Sequence, residues 1–164
     1  MRVCRALVDA EKAYYAKSPG AVGKQYAQRF VSDAGRYNGL FWWESDNKLP
    51  SPIGPLVAYA GSEGAAPQRS TQPTPYHGYY YRLLTRQGSH APGGALHYVL
   101  HGKMTRGFAF VAYPAAYRSS GVMTFIVNQD GIVYEKDLGE QTADITQSFR
   151  AYNPDKTWHR VDEY

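Results

Sequence analysis

Cysteine is almost missing from this chain. Cys4 stands alone in 164 residues, so no disulfide can form within it, and the count leaves the redox compartment open. No apolar run reaches 18 residues, which excludes a membrane-spanning helix. Residues 1–20 lack the apolar core of a secretory signal, because Asp9, Glu11 and Lys12 interrupt it. Large aliphatics are scarce as well: there are 9 Leu and 4 Ile, and Leu, Ile, Val and Phe together make 30 of 164 residues. A share that low marks disorder only when net charge is high and aromatics are few. Here the formal net charge is +4 and aromatics make up 15%. What replaces the aliphatics is tyrosine, with 15 residues. Tyrosine-rich, leucine-poor sequence suits a sheet with half-buried faces rather than a helical bundle.

Acidic residues are nearly missing from the middle of the chain. Residues 61–121 carry six basic groups and one acidic, whereas residues 122–164 carry four and eight. The basic groups of the middle are spread rather than clustered, which reads as solvated charge rather than a nucleic-acid footprint.

Val3, Leu7, Ala10 and Tyr14 share one helical face, and Ser18-Pro19-Gly20 stops that helix, giving an N-terminal helix over 1–17. Tyr26 to Val31 reads as a short second helix, and Leu56 to Ala60 as one helical turn. Residues 61–75 hold Gly, Pro, Ser, Thr and Gln without period and read as a flexible surface loop. From Tyr76 the pattern is β. Gly78–Leu84, Leu96–Leu100, Phe108–Tyr113, Val122–Val127 and Ile132–Tyr134 are the expected strands, within a sheet spanning 76–138. Asp130-Gly131 marks a hairpin, since glycine accepts positive φ without steric cost. Ile145, Phe149 and Tyr152 give a final helical stripe over 142–152, ended by Asn153-Pro154. The expectation is one α+β domain over 1–164: an N-terminal helix packed on an antiparallel meander, with a short C-terminal helix.

No catalytic constellation is evident. Arg106-Gly107-Phe108-Ala109-Phe110-Val111-Ala112-Tyr113 fits the octapeptide with which RNA-recognition motifs stack bases. The helices that fold requires around it are missing, so the string reads as an ordinary alternating strand. His97 and His101 have the spacing of a helical zinc pair but sit in strand-like sequence with no third ligand. Asn128 and Asp130 are the weak candidates for calcium, although turn chemistry accounts for both. No metal or cofactor is expected. Trp42, Trp43, Tyr79 and Tyr81 are the candidate ligand contacts, as an aromatic platform for sugars or peptides.

Several strings together resemble a known family. They are Tyr26-Ala27-Gln28-Arg29-Phe30, Ser51-Pro52-Ile53-Gly54-Pro55-Leu56-Val57 and Pro75-Tyr76-His77-Gly78-Tyr79-Tyr80-Tyr81. Ala91-Pro92-Gly93-Gly94-Ala95, Gly121-Val122-Met123-Thr124-Phe125-Ile126-Val127-Asn128 and Asp130-Gly131-Ile132-Val133-Tyr134-Glu135-Lys136-Asp137 continue the match, and Asn153-Pro154-Asp155 with Trp158 close it. The chain resembles the bacterial family called domain of unknown function 2950. That resemblance implies an exported protein, periplasmic or extracellular, of which this chain is the C-terminal half, and it supplies no catalytic residues. In helix-then-meander order the chain is also similar to the globular heads of type IV pilins and type II secretion pseudopilins, without their long apolar stalk. The functional expectation is a non-enzymatic module acting on a protein partner in the cell envelope. The alternatives are a glycan- or peptide-binding module using an aromatic face, and a hydrolase with an unrecognised site.

Overall fold

A computed structural model describes residues 1–21, 23–43, 49–61 and 73–162. Helix α1 (Arg2–Lys17) ends at Ser18, which adopts a left-handed conformation and donates its backbone N–H to Tyr14 O. A turn of 3-10 helix (Pro19–Ala21) follows. Helix α2 (Pro55–Tyr59) is the single turn expected near Leu56, opened by proline, which suits a first helical position. Then come strands β1 (Tyr79–Leu84), β2 (Arg86–Gln87), β3 (Leu96–His97), β4 (Val99–Leu100), β5 (Lys103–Met104), β6 (Ala109–Pro114), β7 (Met123–Asn128) and β8 (Val133–Asp137). Helix α3 (Thr142–Gln147) and β9 (His159–Arg160) complete the order.

The main sheet is antiparallel in the order β1-β6-β7-β8-β9, and β2-β3 and β4-β5 form two small ribbons beside it. The architecture is the α+β class expected: an N-terminal helix, an antiparallel meander and a short helix near the C-terminus. Side chains alternate between the two faces of a strand. On one face Tyr79, Tyr81, Ala112 and Phe125 lie towards the start of α1. On the other, Arg82 donates to the carbonyls of Thr146 and Phe149, and Gln147 donates to the Tyr113 hydroxyl, both around α3. Thus β6 is covered from both sides, and all six of its residues are buried. This is why Phe108–Tyr113 is nearly continuously apolar rather than alternating.

Tyrosine does much of the packing that leucine does elsewhere. Tyr14, Tyr81, Tyr98, Tyr113 and Tyr152 are buried. A buried phenol needs a hydrogen-bond partner. Tyr98 donates to Gln87 Oε1 at 3.0 Å, and Gln87 Nε2 donates onward to Pro92 O and Gly94 O.

Three expected elements differ. Residues 26–31 are not helical: Tyr26 pairs with Met104 and Val31 with Phe41 as isolated bridges, and Phe41 N–H donates to Phe30 O. Partners distant in sequence take the amides that a helix would have used. Leu96–Leu100 is broken at Tyr98, whose N–H donates to Thr85 O while its carbonyl accepts from Thr105 and Arg106, so β3 and β4 belong to separate ribbons. The C-terminal helix stops at Gln147 because Tyr152 joins the sheet side, donating to Arg86 O and accepting from Gly88 N. The expected loop over 61–75 lies, from 62 to 72, outside the described residues.

Candidate functional site

A large hollow among the described residues lies where the end of α1 meets the chain from Gln25 to Asn38. It has a volume of about 710 Å³, and Tyr14, Tyr26, Gln28, Arg29, Arg36 and Tyr37 are prominent in its wall. Its construction is long-range. The Tyr14 hydroxyl donates to Tyr37 O at 2.5 Å, tying the helix to the far wall. Tyr26 N–H donates to Met104 O at 2.8 Å, and the Tyr26 ring packs against Tyr15 at 4.7 Å and Phe108 at 4.8 Å. Tyr37 stands edge-on to Trp42 at 5.0 Å. Arg29 pairs with Asp33 at 2.6 Å, and Asn38 donates to the same carboxylate, which lowers the Asp33 pKa. Burial, then the nearby Glu11 carboxyl, pushes the Tyr14 phenol up to about 12; Tyr26 is raised by burial, then Tyr15, then Glu11. Both phenols are therefore neutral hydrogen-bonding groups at physiological pH. Among the described residues the lining holds tyrosine, arginine, glutamine and asparagine, with no carboxylate, imidazole or thiol.

The four aromatic candidates do not form one platform. Trp42 is buried and donates its indole N–H to Leu49 O, so its contribution to the cleft is as backing for Tyr37. Trp43, its neighbour in sequence, is 64% exposed and leans on Phe41 at 5.1 Å. Tyr79 and Tyr81 do share a face and line a second hollow of about 500 Å³ with Tyr76, Phe125 and the first residues of α1. Their hydroxyls are occupied by backbone carbonyls, of Met123 and Tyr76. Cys4 lines the same hollow, and burial pushes its thiol up to about 11, which removes it as a nucleophile at neutral pH.

The remaining motifs resolve into structure. Phe108 and Phe110 are wholly buried and pack on each other at 5.9 Å, so neither offers a face to a base. Asn128 and Asp130 bond each other within the hairpin turn, where Gly131 takes φ 75°. His97 is on β3 and His101 in the turn after β4, so the pair has no helix to align it. Gln25, Gln28, Arg36 and Tyr37 are cleft residues that sequence reasoning missed. The run Gln25–Asn38 interleaves polar and aromatic residues, and the apolar spacing it does carry, over 26–31, points to a helix rather than to a cleft wall.

Against known proteins, the family model described as "Protein of unknown function (DUF2950)" matches residues 1–161. The chain belongs to the DUF2950 family. No curated protein and no solved structure matches it. For this DUF2950 member the match runs through both walls of the cleft, from α1 to Asn38, and on to β9.

Proposed function

We propose that the chain is a non-enzymatic binding module of the cell envelope whose cleft between α1 and residues 25–38 grips a protein partner. One observation carries this reading: the wall combines three tyrosines and two arginines with amide side chains. Tyrosine and arginine are, with tryptophan, enriched at the energetic centres of protein interfaces, because each gives large contact area with directional hydrogen bonds. Export and the envelope setting rest on the family resemblance. The pseudopilin-like head rests on α1 lying across β6 and β7 of an antiparallel meander.

The test places a photo-crosslinking amino acid at exposed Arg36, and at exposed Lys156 as control, in the full-length protein in living cells. Irradiation is expected to give one discrete adduct from position 36, in the periplasmic or outer fraction, and none from 156. No adduct at 36, or turnover of a substrate library by the purified protein, overturns the reading.

Trp43 favours a second reading. A tryptophan 64% exposed and steadied by Phe41 presents a flat face suited to a sugar ring. Cell-wall glycan fragments are then expected to alter tryptophan emission saturably, with the change lost in Trp43→Ala. Flat titrations across a panel of such fragments remove this alternative.

A further inference from the structure

A third hollow, of about 440 Å³, opens over the β2-β3 ribbon and shares no lining residue with the cleft. Its wall contains Arg86, His97 and Arg106, alongside Gln87, Leu96 and small residues, and no carboxylate among the described residues lines it. The placement of the three basic groups is dictated by register. Arg86 and His97 are direct cross-strand partners in β2-β3, so their side chains emerge on the same face. Arg106 is delivered from the other side by Tyr98, whose carbonyl accepts the Arg106 N–H at 3.2 Å. Beneath them Gln87 is buried and locked by Tyr98, Pro92 and Gly94, so the floor is rigid.

His97 and Arg106 are exposed, so the hollow is open to a ligand from solvent. Two guanidinium groups converging on one hollow are commonly balanced by a carboxylate beside them. None lines the hollow here. The Arg106 and His97 side chains make no hydrogen bond or ion pair among the described residues, while Arg86 spends its Nε–H on Arg150 O at 3.2 Å. The stretch in which all three lie, residues 61–121, has six basic groups and one acidic. Guanidinium forks match the geometry of phosphate oxygens. The volume exceeds what one oxyanion needs and leaves room for an organic group.

We propose that the Arg86–His97–Arg106 hollow is a binding site for a phosphate monoester on a small organic ligand. Arg86 and Arg106 grip the oxyanion and His97 supplies a third N–H. The site is separate from the cleft and stands or falls independently of it.

The test follows the arginine Nε–H signals of the whole protein by NMR during titration with phenyl phosphate, with inorganic phosphate as a second arm, at fixed ionic strength. Saturable shifts at Arg86 and Arg106 are expected, with phenyl phosphate binding tighter than inorganic phosphate. Arg106→Gln, which touches no structural partner, should weaken binding at least tenfold, whereas Arg118→Gln, remote in the fold, should leave it within twofold. Absence of saturation with both probes overturns the proposal. So does equal weakening by the two variants, which would mark mere attraction to net charge. Inorganic phosphate binding as tightly as phenyl phosphate overturns the assignment of an organic ester.

Discussion

Truncating Phe30 to alanine is expected to destabilise the protein by about 3–5 kcal/mol, the usual range for a fully buried phenylalanine. Phe30 has no exposed surface and stands edge-on to Phe110 at 5.7 Å. Its backbone carbonyl also accepts the Phe41 N–H, so it belongs to the segment that leads into the cleft wall. The same site makes a second, coupled forecast. A Cβ placed on Gly61 would run into the Phe30 ring at Cγ and Cδ2. Gly61 has little freedom to retreat, because it bridges to Tyr81, whose N–H donates to Ala60 O at 2.9 Å. Gly61→Ala alone should therefore cost about 1–3 kcal/mol by overpacking. In a Phe30→Ala background the obstructing ring is gone, and most of that penalty should vanish. A double-mutant cycle by urea unfolding measures the difference, and a coupling of at least about 1 kcal/mol is expected. Strict additivity would show that the Gly61 contact is not what fixes the ring.

Helix α1 and the β6-β7-β8 meander were legible in the sequence for a local reason. The Val3-Leu7-Ala10-Tyr14 stripe and the strand–Asp130-Gly131–strand pattern are written within a few residues of each other. The cleft was not legible, because nothing local builds it. Tyr14 and Tyr37 meet across 23 positions, and Tyr26 is held by Met104 from the far side of the chain. Residues 26–31 have a helix-like spacing of apolar groups, yet their amides are claimed by Met104, Glu11 and Phe41. The aromatic candidates failed as one platform for a related reason. Trp42 and Trp43 are neighbours in sequence, but one indole turns inward to Leu49 O and the other outward. The one missed signal that was available is Glu11. It stands four residues after Leu7 and three after Val8, on the apolar side of α1, where a carboxylate has no solvent reason to be.

That residue gives the second large effect. Glu11 is completely buried; its Oε2 accepts the Ala27 N–H at 2.8 Å, and its Oε1 has no hydrogen-bond partner among the described residues. Burial raises its pKa well above the ordinary carboxyl value, and the single bond from Ala27 only partly opposes the shift. The native state therefore keeps the proton that the unfolded chain releases near the ordinary glutamate pKa of about 4.3. Above that pH the native state binds more protons than the unfolded state, so stability falls as pH rises. The contribution of Glu11 is full below about pH 4 and is lost at up to about 1.4 kcal/mol per pH unit until the raised native pKa is passed. Glu11→Gln keeps an oxygen for the Ala27 N–H and carries no ionisable group. It is expected to match the parent near pH 4 and to exceed its stability increasingly through pH 6 and 8, as read from urea midpoints at each pH. A gap between Gln and Glu that does not widen with pH would show that Glu11 is not the proton-holding group. Glu11→Leu separates the charge from the hydrogen bond. It too lacks the ionisation, but it strands the Ala27 N–H without an acceptor, at about 1–3 kcal/mol. Leucine should therefore lie below glutamine at every pH. Because Ala27 is flanked by Tyr26 and Gln28, both in the cleft wall, the leucine variant should also weaken the crosslink from position 36, whereas glutamine leaves it intact. The buried acid thus acts as the clasp that fixes one wall of the cleft to α1, through the Ala27 N–H that its Oε2 accepts.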